Sequence, residues 1–147
     1  MASIGSLQRM TAAQLADRIR AGANSLAIVD VRDDDYIGGH IVGSLHFASG
    51  SLDATMPTLL RKLQDADTVV FHCALSQQRG PSAALRYLRE VAAQQNKKTT
   101  TGGGAAVEPS KPQTVYVLDR GFVGWQEVYG DDETLTEGYR KELWKYY

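Results

Sequence analysis

Cys73, five intervening residues and then Arg79 form the stretch of this chain with the most chemical content, CALSQQR. A thiolate is a strong nucleophile, and a guanidinium presents a planar fork of donors that matches two oxygens of a tetrahedral oxyanion. The stretch runs into Gly80 and Pro81. Proline suits the first turn of a helix, where its missing N–H leaves no bond unmade. A loop feeding a helix N-terminus points several backbone N–H groups inward, and with the positive end of the helix dipole these form a cradle for an oxyanion. A thiol at the base of such a loop feels the same field, which favours its thiolate. The spacing therefore predicts that Cys73 attacks, Arg79 clamps, and the amides of Ala74, Leu75, Ser76, Gln77, Gln78 and Gly80 stabilise the anion. A lone cysteine is ordinarily a small buried apolar residue. Its place at the end of a strand, directly before a glycine, a proline and a helix, sets this one apart.

The elements that must hold the loop are legible on either side of it. Val69, Val70 and Phe71 read as a buried strand ending at His72, and Ala83, Ala84, Leu85, Leu88 and Val91 as a helix running to about Ala93. Leu26 to Val31, nearly all apolar, fits a strand covered on both faces in a parallel sheet, and Thr114 to Leu118 is a further strand. Leu7 begins a sheet edge. Thr11 is an N-cap candidate for a helix with Leu15 and Ile19 on one stripe and Gly22 at its end. A short strand is expected at Leu45, His46 and Phe47, with no partner evident for His46. Leu52, Leu59, Leu60 and Leu63 predict a helix begun late or interrupted at Pro57. Residues 94–113 contain a triple glycine, two prolines and few large apolar groups, and read as a mobile loop inserted between helix and strand. The spacing of Tyr139, Leu143 and Trp144 predicts an amphipathic helix across the domain.

Composition bounds the class. A chain of 147 residues with 43% hydrophobic content suits a single domain spanning residues 1–147, and a formal charge of −1 offers no general attraction to nucleic acid or an anionic membrane. One cysteine excludes an intramolecular disulfide and fits a reducing compartment. No apolar run approaches membrane-spanning length, and the start MASIGSLQRM lacks a basic segment followed by an apolar one, so a cytoplasmic or nuclear location is expected.

His72 through Pro81, HCALSQQRGP, resembles the active-site signature of the cell-division-cycle phosphatases of the twenty-five type and of the related eukaryotic arsenate reductases, most of all the small single-domain fungal members. That group is built on the rhodanese fold, so the resemblance implies an α/β domain with a central, mostly parallel sheet flanked by helices. Two more stretches are similar to the same fold. Asp30-Val31-Arg32, then Tyr36, then Gly39-His40-Ile41-Val42-Gly43-Ser44 lies near its start; Leu118 to Trp125 matches its closing motif, with Arg120 in place of the usual first glycine. Among the supporting residues, Asp30 and Arg32 read as an ion pair below the active loop. His72 is the strand residue that precedes the nucleophile. His40, between glycines, reads as fixing the turn, a role that the family pattern also implies, rather than as a general base. Asp33 to Asp35 reads as a solvated helix start. Gly121 is expected to free a turn and Phe122 and Trp125 to anchor a helix, which points to fold rather than chemistry.

The resemblance implies hydrolysis of a phosphomonoester, in a phosphoprotein bearing phosphotyrosine or of dual specificity, through a phosphocysteine on Cys73 and with no metal or other cofactor. The alternative is reduction of a small oxyanion, arsenate. With no second cysteine in the chain to resolve the adduct, glutathione would then be the co-substrate and glutaredoxin a partner. Plant relatives bind zinc through additional cysteines that this chain lacks, so no metal is expected. More distant readings are a thiosulfate sulfurtransferase, for which the seven-residue loop is long, and a non-catalytic rhodanese module, which would commonly have lost the cysteine. The larger phosphatases carry a glutamate within the loop, whereas Ala74, Leu75, Gln77 and Gln78 bring no carboxylate. Asp33, Asp34, Asp35 and Asp119 are the candidates for the acid that protonates the leaving oxygen. Gly80 stands where many tyrosine phosphatases have a serine or threonine.

Overall fold

Strands apolar on both faces must be covered on both, and that requirement organises the molecule. A computed structural model of the chain describes residues 7–22, 25–100 and 113–144. Its central sheet holds five strands in the order β1 (Gln8–Met10), β6 (Thr114–Leu118), β5 (Thr68–His72), β2 (Leu26–Asp30) and β4 (Leu45–His46), every neighbouring pair parallel. In β5 the side chains of Val69, Val70 and Phe71 are all fully buried, although they alternate between the two faces.

Helices α2 (Leu52–Leu63) and α3 (Arg79–Thr100) cover one face, where Leu52, Leu59, Leu63, Ala84 and Tyr87 pack with Val29, Val69 and Phe71. Helices α1 (Ala12–Arg20) and α4 (Gly121–Tyr129) cover the other, where Leu15, Phe122 and Trp125 pack with Ile28, Val70 and Leu118. A two-stranded antiparallel ribbon, β3 (His40–Ile41) with β7 (Thr136–Glu137), completes the fold. The central α/β sheet flanked by helices is the architecture expected from the sequence.

Thr11 caps α1 as its sequence suggests. Its hydroxyl accepts from the Gln14 amide at 3.1 Å, while the Gln14 side chain accepts from the Thr11 amide at 2.9 Å, a reciprocal capping box.

Three expectations are corrected. Pro57 does not interrupt α2, which runs unbroken from Leu52 to Leu63. It is the sixth of the twelve helical residues and lies on the exposed side, where the helix absorbs the loss of the one bond that its missing N–H removes. Helix α3 does not stop near Ala93 but continues to Thr100. Glutamine and lysine are good helix formers, and extending an existing helix gains one bond for each residue fixed. Of the loop expected over residues 94–113, residues 101–112 lie outside the described residues. Gln113, at its end, is held firmly: its amide donates to the carbonyls of Leu63 and Ala66 at 2.8 Å each and accepts from the Tyr87 hydroxyl at 2.6 Å. Finally, the stretch containing Tyr139, Leu143 and Trp144 forms no amphipathic α-helix. It follows β7 and ends in a single 3-10 turn, Lys141–Trp144. There Trp144 is buried against Phe122 and donates its indole N–H to the Gly38 carbonyl at 2.9 Å, while Leu143 stays 42% exposed.

Candidate active site

In an open parallel sheet, ligands meet the chain at the carboxyl ends of the strands. Register places Asp30, the last residue of β2, directly beside His72, the last of β5, so the segments that follow, Arg32 to Asp35 and Cys73 to Arg79, rise from adjacent strand ends.

Cys73 is a free thiol at the base of its loop, only 3% exposed. The amide of Ser76 donates to its Sγ at 3.2 Å, and the Cys73 amide donates to the Ser76 hydroxyl at 3.4 Å. An N–H aimed at sulfur stabilises negative charge there. This inward turn requires a left-handed backbone at Ser76, whose φ is +57°, and the fully buried residue is pinned in that conformation. Part of the pin is Arg9, one residue before the end of β1. Both of its terminal nitrogens donate to the Ser76 carbonyl at 3.3 Å, and the guanidinium lies 3.6 Å from Asp119. Sequence reasoning did not find Arg9; an arginine on an edge strand carries no local signal of what lies two strands away.

The loop is also held from below. The first amides of α4, orphan donors by virtue of their position in a helix, reach the loop's carbonyls: Phe122 N–H to Cys73 at 3.0 Å and Val123 N–H to Ala74 at 2.9 Å. A Cβ at Gly121 would stand 2.5 Å from the carbonyl oxygens of both Cys73 and Ala74, and its φ is +55°. The closing motif read as pointing to fold therefore also positions the backbone of Cys73 and Ala74. Gly80 is similarly tight, since a Cβ there would lie 3.3 Å from the His72 Cα and 3.4 Å from the Cys73 nitrogen. Of the other loop residues, Leu75 is exposed at 46%, and the Gln78 carbonyl accepts the Ser82 amide at 2.9 Å to begin α3.

Beneath the loop lies the ion pair expected of Asp30 and Arg32, both fully buried. Arg32 Nη2 meets Asp30 Oδ2 at 2.7 Å, and its Nε lies 3.0 Å from each carboxylate oxygen. Arg32 also donates to the Gly39 carbonyl at 2.8 Å, and its guanidinium lies 4.4 Å from the centroid of the Phe122 ring. Burial pushes the Asp30 carboxyl up, but the adjacent His72 and the Arg32 hydrogen bonds outweigh it and hold it below the usual carboxylate range. His72 is wholly buried; burial pushes its pKa down, its Nδ1 bonds the Cys73 carbonyl at 3.2 Å, and its Nε2 lies 3.8 Å from Asp30.

Arg79 opens α3 with its fork occupied. Nη1 and Nη2 meet Asp35 Oδ1 and Oδ2 at 2.8 and 2.5 Å, and Nη1 also reaches Asp33 at 3.2 Å. The hydrogen bond from Arg79 holds the Asp35 carboxyl at about 2, and Asp35 in turn raises the Arg79 pKa further. The reading of Asp33 to Asp35 as a solvated helix start is thereby overturned. No helix forms there, two of the three side chains turn onto the arginine, and only Asp34 is exposed. Beside Arg79 an open depression of about 320 Å³ is lined by Ser49, Gln78, Ser82 and Arg86 among others.

His40 stands apart from the loop, on the β3–β7 ribbon, with Nε2 3.5 Å from Glu137. His46, for which no partner was evident, does have partners: its Nε2 lies 2.6 Å from the Arg32 carbonyl, and its ring stacks on Tyr36 at 3.8 Å. Among the described residues, no group of three or more His, Cys, Asp or Glu side chains is arranged to hold a metal ion. Chemically, the arrangement offers sulfur as nucleophile, an amide aimed at it, and a guanidinium at the far end of the same loop.

Comparison with known proteins bears on what such a loop does. The family description "Rhodanese-like domain" matches residues 11–128. The CDC25-like phosphatase YCH1 of Saccharomyces cerevisiae is 42% identical over 129 residues, covering 80% of this chain and 77% of that protein. Arsenate reductase 2.2 of Oryza sativa subsp. japonica is 40% identical over 118 residues, covering 80% of each. Among solved structures, Ygr203w, described as a yeast protein tyrosine phosphatase of the rhodanese family, superimposes with a TM-score of 0.74 at 34% identity over 97% of this chain and 100% of that one.

Proposed function

The chain belongs to the rhodanese-like domain family, and from that premise we propose that it is a cysteine-dependent phosphatase, hydrolysing phosphomonoesters of the protein-phosphotyrosine or dual-specificity class. The observation that carries the reading is the loop itself, with Cys73 Sγ at its base receiving the Ser76 amide and Arg79 closing its other end. In the proposed reaction a bond forms between Cys73 sulfur and phosphorus as the bond from phosphorus to the alcohol oxygen breaks. Arg79 takes two of the equatorial oxygens, and Ser76 N–H steadies the sulfur. Water then attacks the phosphocysteine, releasing phosphate and the thiolate. The site residues proposed are Cys73 and Arg79 for chemistry, with the backbone of residues 74–80 around the anion. Proposed supports are Asp30, Arg32 and His72 beneath the loop and His40 at the ribbon. No cofactor is invoked, and a reducing compartment, cytoplasm or nucleus, suits the thiol.

A second reading is favoured by one specific observation, the 40% identity to a protein named as an arsenate reductase. Arsenate has the same tetrahedral shape. Cys73 would displace an arsenate oxygen, and because this chain has no other cysteine the electrons must come from outside, from glutathione, with glutaredoxin restoring Cys73.

Purified protein assayed for aryl phosphate hydrolysis and, in parallel, for glutathione- and glutaredoxin-dependent arsenate reduction separates the two. Phosphate release that disappears in Cys73→Ser supports the phosphatase reading, and substantial turnover in that variant refutes the nucleophile. Arsenate turnover alone selects the reductase.

A further inference from the structure

An oxyanion that binds Arg79 must take it from Asp35. A carboxylate offers two oxygens in the plane of the guanidinium, as a phosphate does, and the fork that holds Asp35 at 2.8 and 2.5 Å cannot hold both anions in that way. The carboxylates of this segment are not equivalent in what they lose. Asp33 has its own anchors, the Ser49 hydroxyl at 2.6 Å and the Gly50 amide at 2.8 Å, and reaches Arg79 only at 3.2 Å. Apart from Arg79, Asp35 is held by backbone amides, that of Asp33 at 2.9 Å on Oδ1 and its own, and on Oδ2 it has Arg79. Asp34, between them, is exposed and contributes to none of these bonds.

We propose that Asp35 is the internal counter-ion an incoming phosphomonoester displaces from Arg79, and that once displaced it is the acid that protonates the leaving oxygen. This rests on the phosphatase reading and names the proton donor for it. The charged groups facing Asp35 are Arg79 from α3 and Asp33 from its own segment, whose carboxylate reaches the same guanidinium. While paired, Asp35 is ionised and has no proton to give. When a dianion takes the arginine, the chief stabiliser of the carboxylate is gone and two negative charges, the phosphate and Asp33, stand beside it; each favours proton uptake. Asp35 takes a proton from solvent, the P–O bond breaks as S–P forms, and the alkoxide or phenoxide receives that proton, leaving the Asp35 carboxylate. In the second half-reaction the carboxylate accepts a proton from the attacking water.

The test compares wild type with Asp35→Asn, Asp35→Glu and Asp33→Asn, all checked for folding by circular dichroism. Inorganic phosphate is titrated as a protector of Cys73 against alkylation by iodoacetamide, and kcat is measured for p-nitrophenyl phosphate, whose leaving group needs no acid, and for phenyl phosphate, whose leaving group does. Asp35→Asn is expected to bind phosphate about tenfold more tightly. It should lose about a hundredfold in kcat on phenyl phosphate but only a few-fold on p-nitrophenyl phosphate, with the alkaline fall of the wild-type kcat–pH profile abolished. Asp35→Glu, which retains an acid, should recover phenyl phosphate turnover to within about tenfold of wild type, and Asp33→Asn should not discriminate between the esters. Equal losses on both esters in Asp35→Asn overturn the donor role, and unchanged phosphate protection overturns the counter-ion role. If the wild type hydrolyses neither ester while Asp35→Asn still binds phosphate more tightly, the phosphatase reading fails, and with it the donor role, but the competition for Arg79 stands.

Discussion

His72 shows what a single buried side chain imposes on the pH range in which this protein is stable. Folding moves its imidazole fully out of water beside the Asp30–Arg32 pair, and burial lowers its pKa below the usual 6.5. Below that pH the unfolded chain takes up a proton that the folded chain resists, so the unfolded state gains and stability falls as the solution is acidified. The contribution is whole above about pH 6.5 and declines below it, by at most about 1.4 kcal/mol per pH unit for one proton. Urea unfolding of wild type and His72→Asn between pH 7.5 and 5 isolates the effect, because His40 and His46 are common to both. The stability difference in favour of wild type should shrink steadily on acidification, and parallel curves would show that His72 titrates alike in both states. Asp30 acts in a lower window: its carboxylate, held below the usual range, contributes above about pH 4 and is lost as pH falls through its folded value.

At the scale of elements, the position of the Cys73 loop depends on where α4 begins. Its first amides hold the carbonyls of Cys73 and Ala74, an arrangement possible only because Gly121 has no Cβ to strike the same two oxygens. Those oxygens are backbone and cannot give way without moving the loop. Gly121→Ala is expected to lower kcat by roughly 10- to 100-fold, the scale on which small displacements of reacting groups are felt, and to destabilise by about 1–3 kcal/mol from the left-handed backbone alone. Gly22→Ala is the control. Its φ is +71°, but an added Cβ would meet nothing within 4 Å, so it should lose stability and keep kcat. Steady-state kinetics beside thermal melts distinguishes the two, and equal kcat in both variants would detach α4 from the site. The same comparison shows where local patterns stop being informative. Gly121, Phe122 and Trp125 are recognisable as a motif in one dimension, but that the helix they start points its orphan donors at Cys73 depends on β6 lying beside β5, which no spacing within the motif contains.

Across the whole molecule, the face of the sheet that α1 and α4 cover is joined to the C-terminal stretch by aromatic contacts. Trp144 packs on Phe122 with ring centroids 5.3 Å apart, and Phe122 lies under the buried Arg32 guanidinium. Trp144→Ala removes a large, 92% buried ring from this chain; an exposure of 8% leaves little to recover by relaxation. The expected loss is about 3–5 kcal/mol of stability, read as a lower urea midpoint, with kcat per folded molecule unchanged because Trp144 contacts neither Cys73 nor Arg79. A fall in kcat at constant stability would mean that the C-terminal stretch acts on the site.

The residues themselves determined the chemistry available and much of the frame. A thiol and a guanidinium seven positions apart inclusive, the uninterrupted apolar runs of β2 and β5, and the Thr11 cap are local facts, set by side-chain type and backbone propensity. Apart from the Asp30–Arg32 pair, only two residues apart, tertiary structure decided the partners of the charges at the site. Asp35 meets Arg79 across 44 residues and Arg9 meets Ser76 across 67, and at such separations pairing is governed by strand order and by which side chains share the same strand ends. An acidic run looks the same in one dimension whether water or an arginine neutralises it. The difference is a matter of what the fold brings within 3 Å.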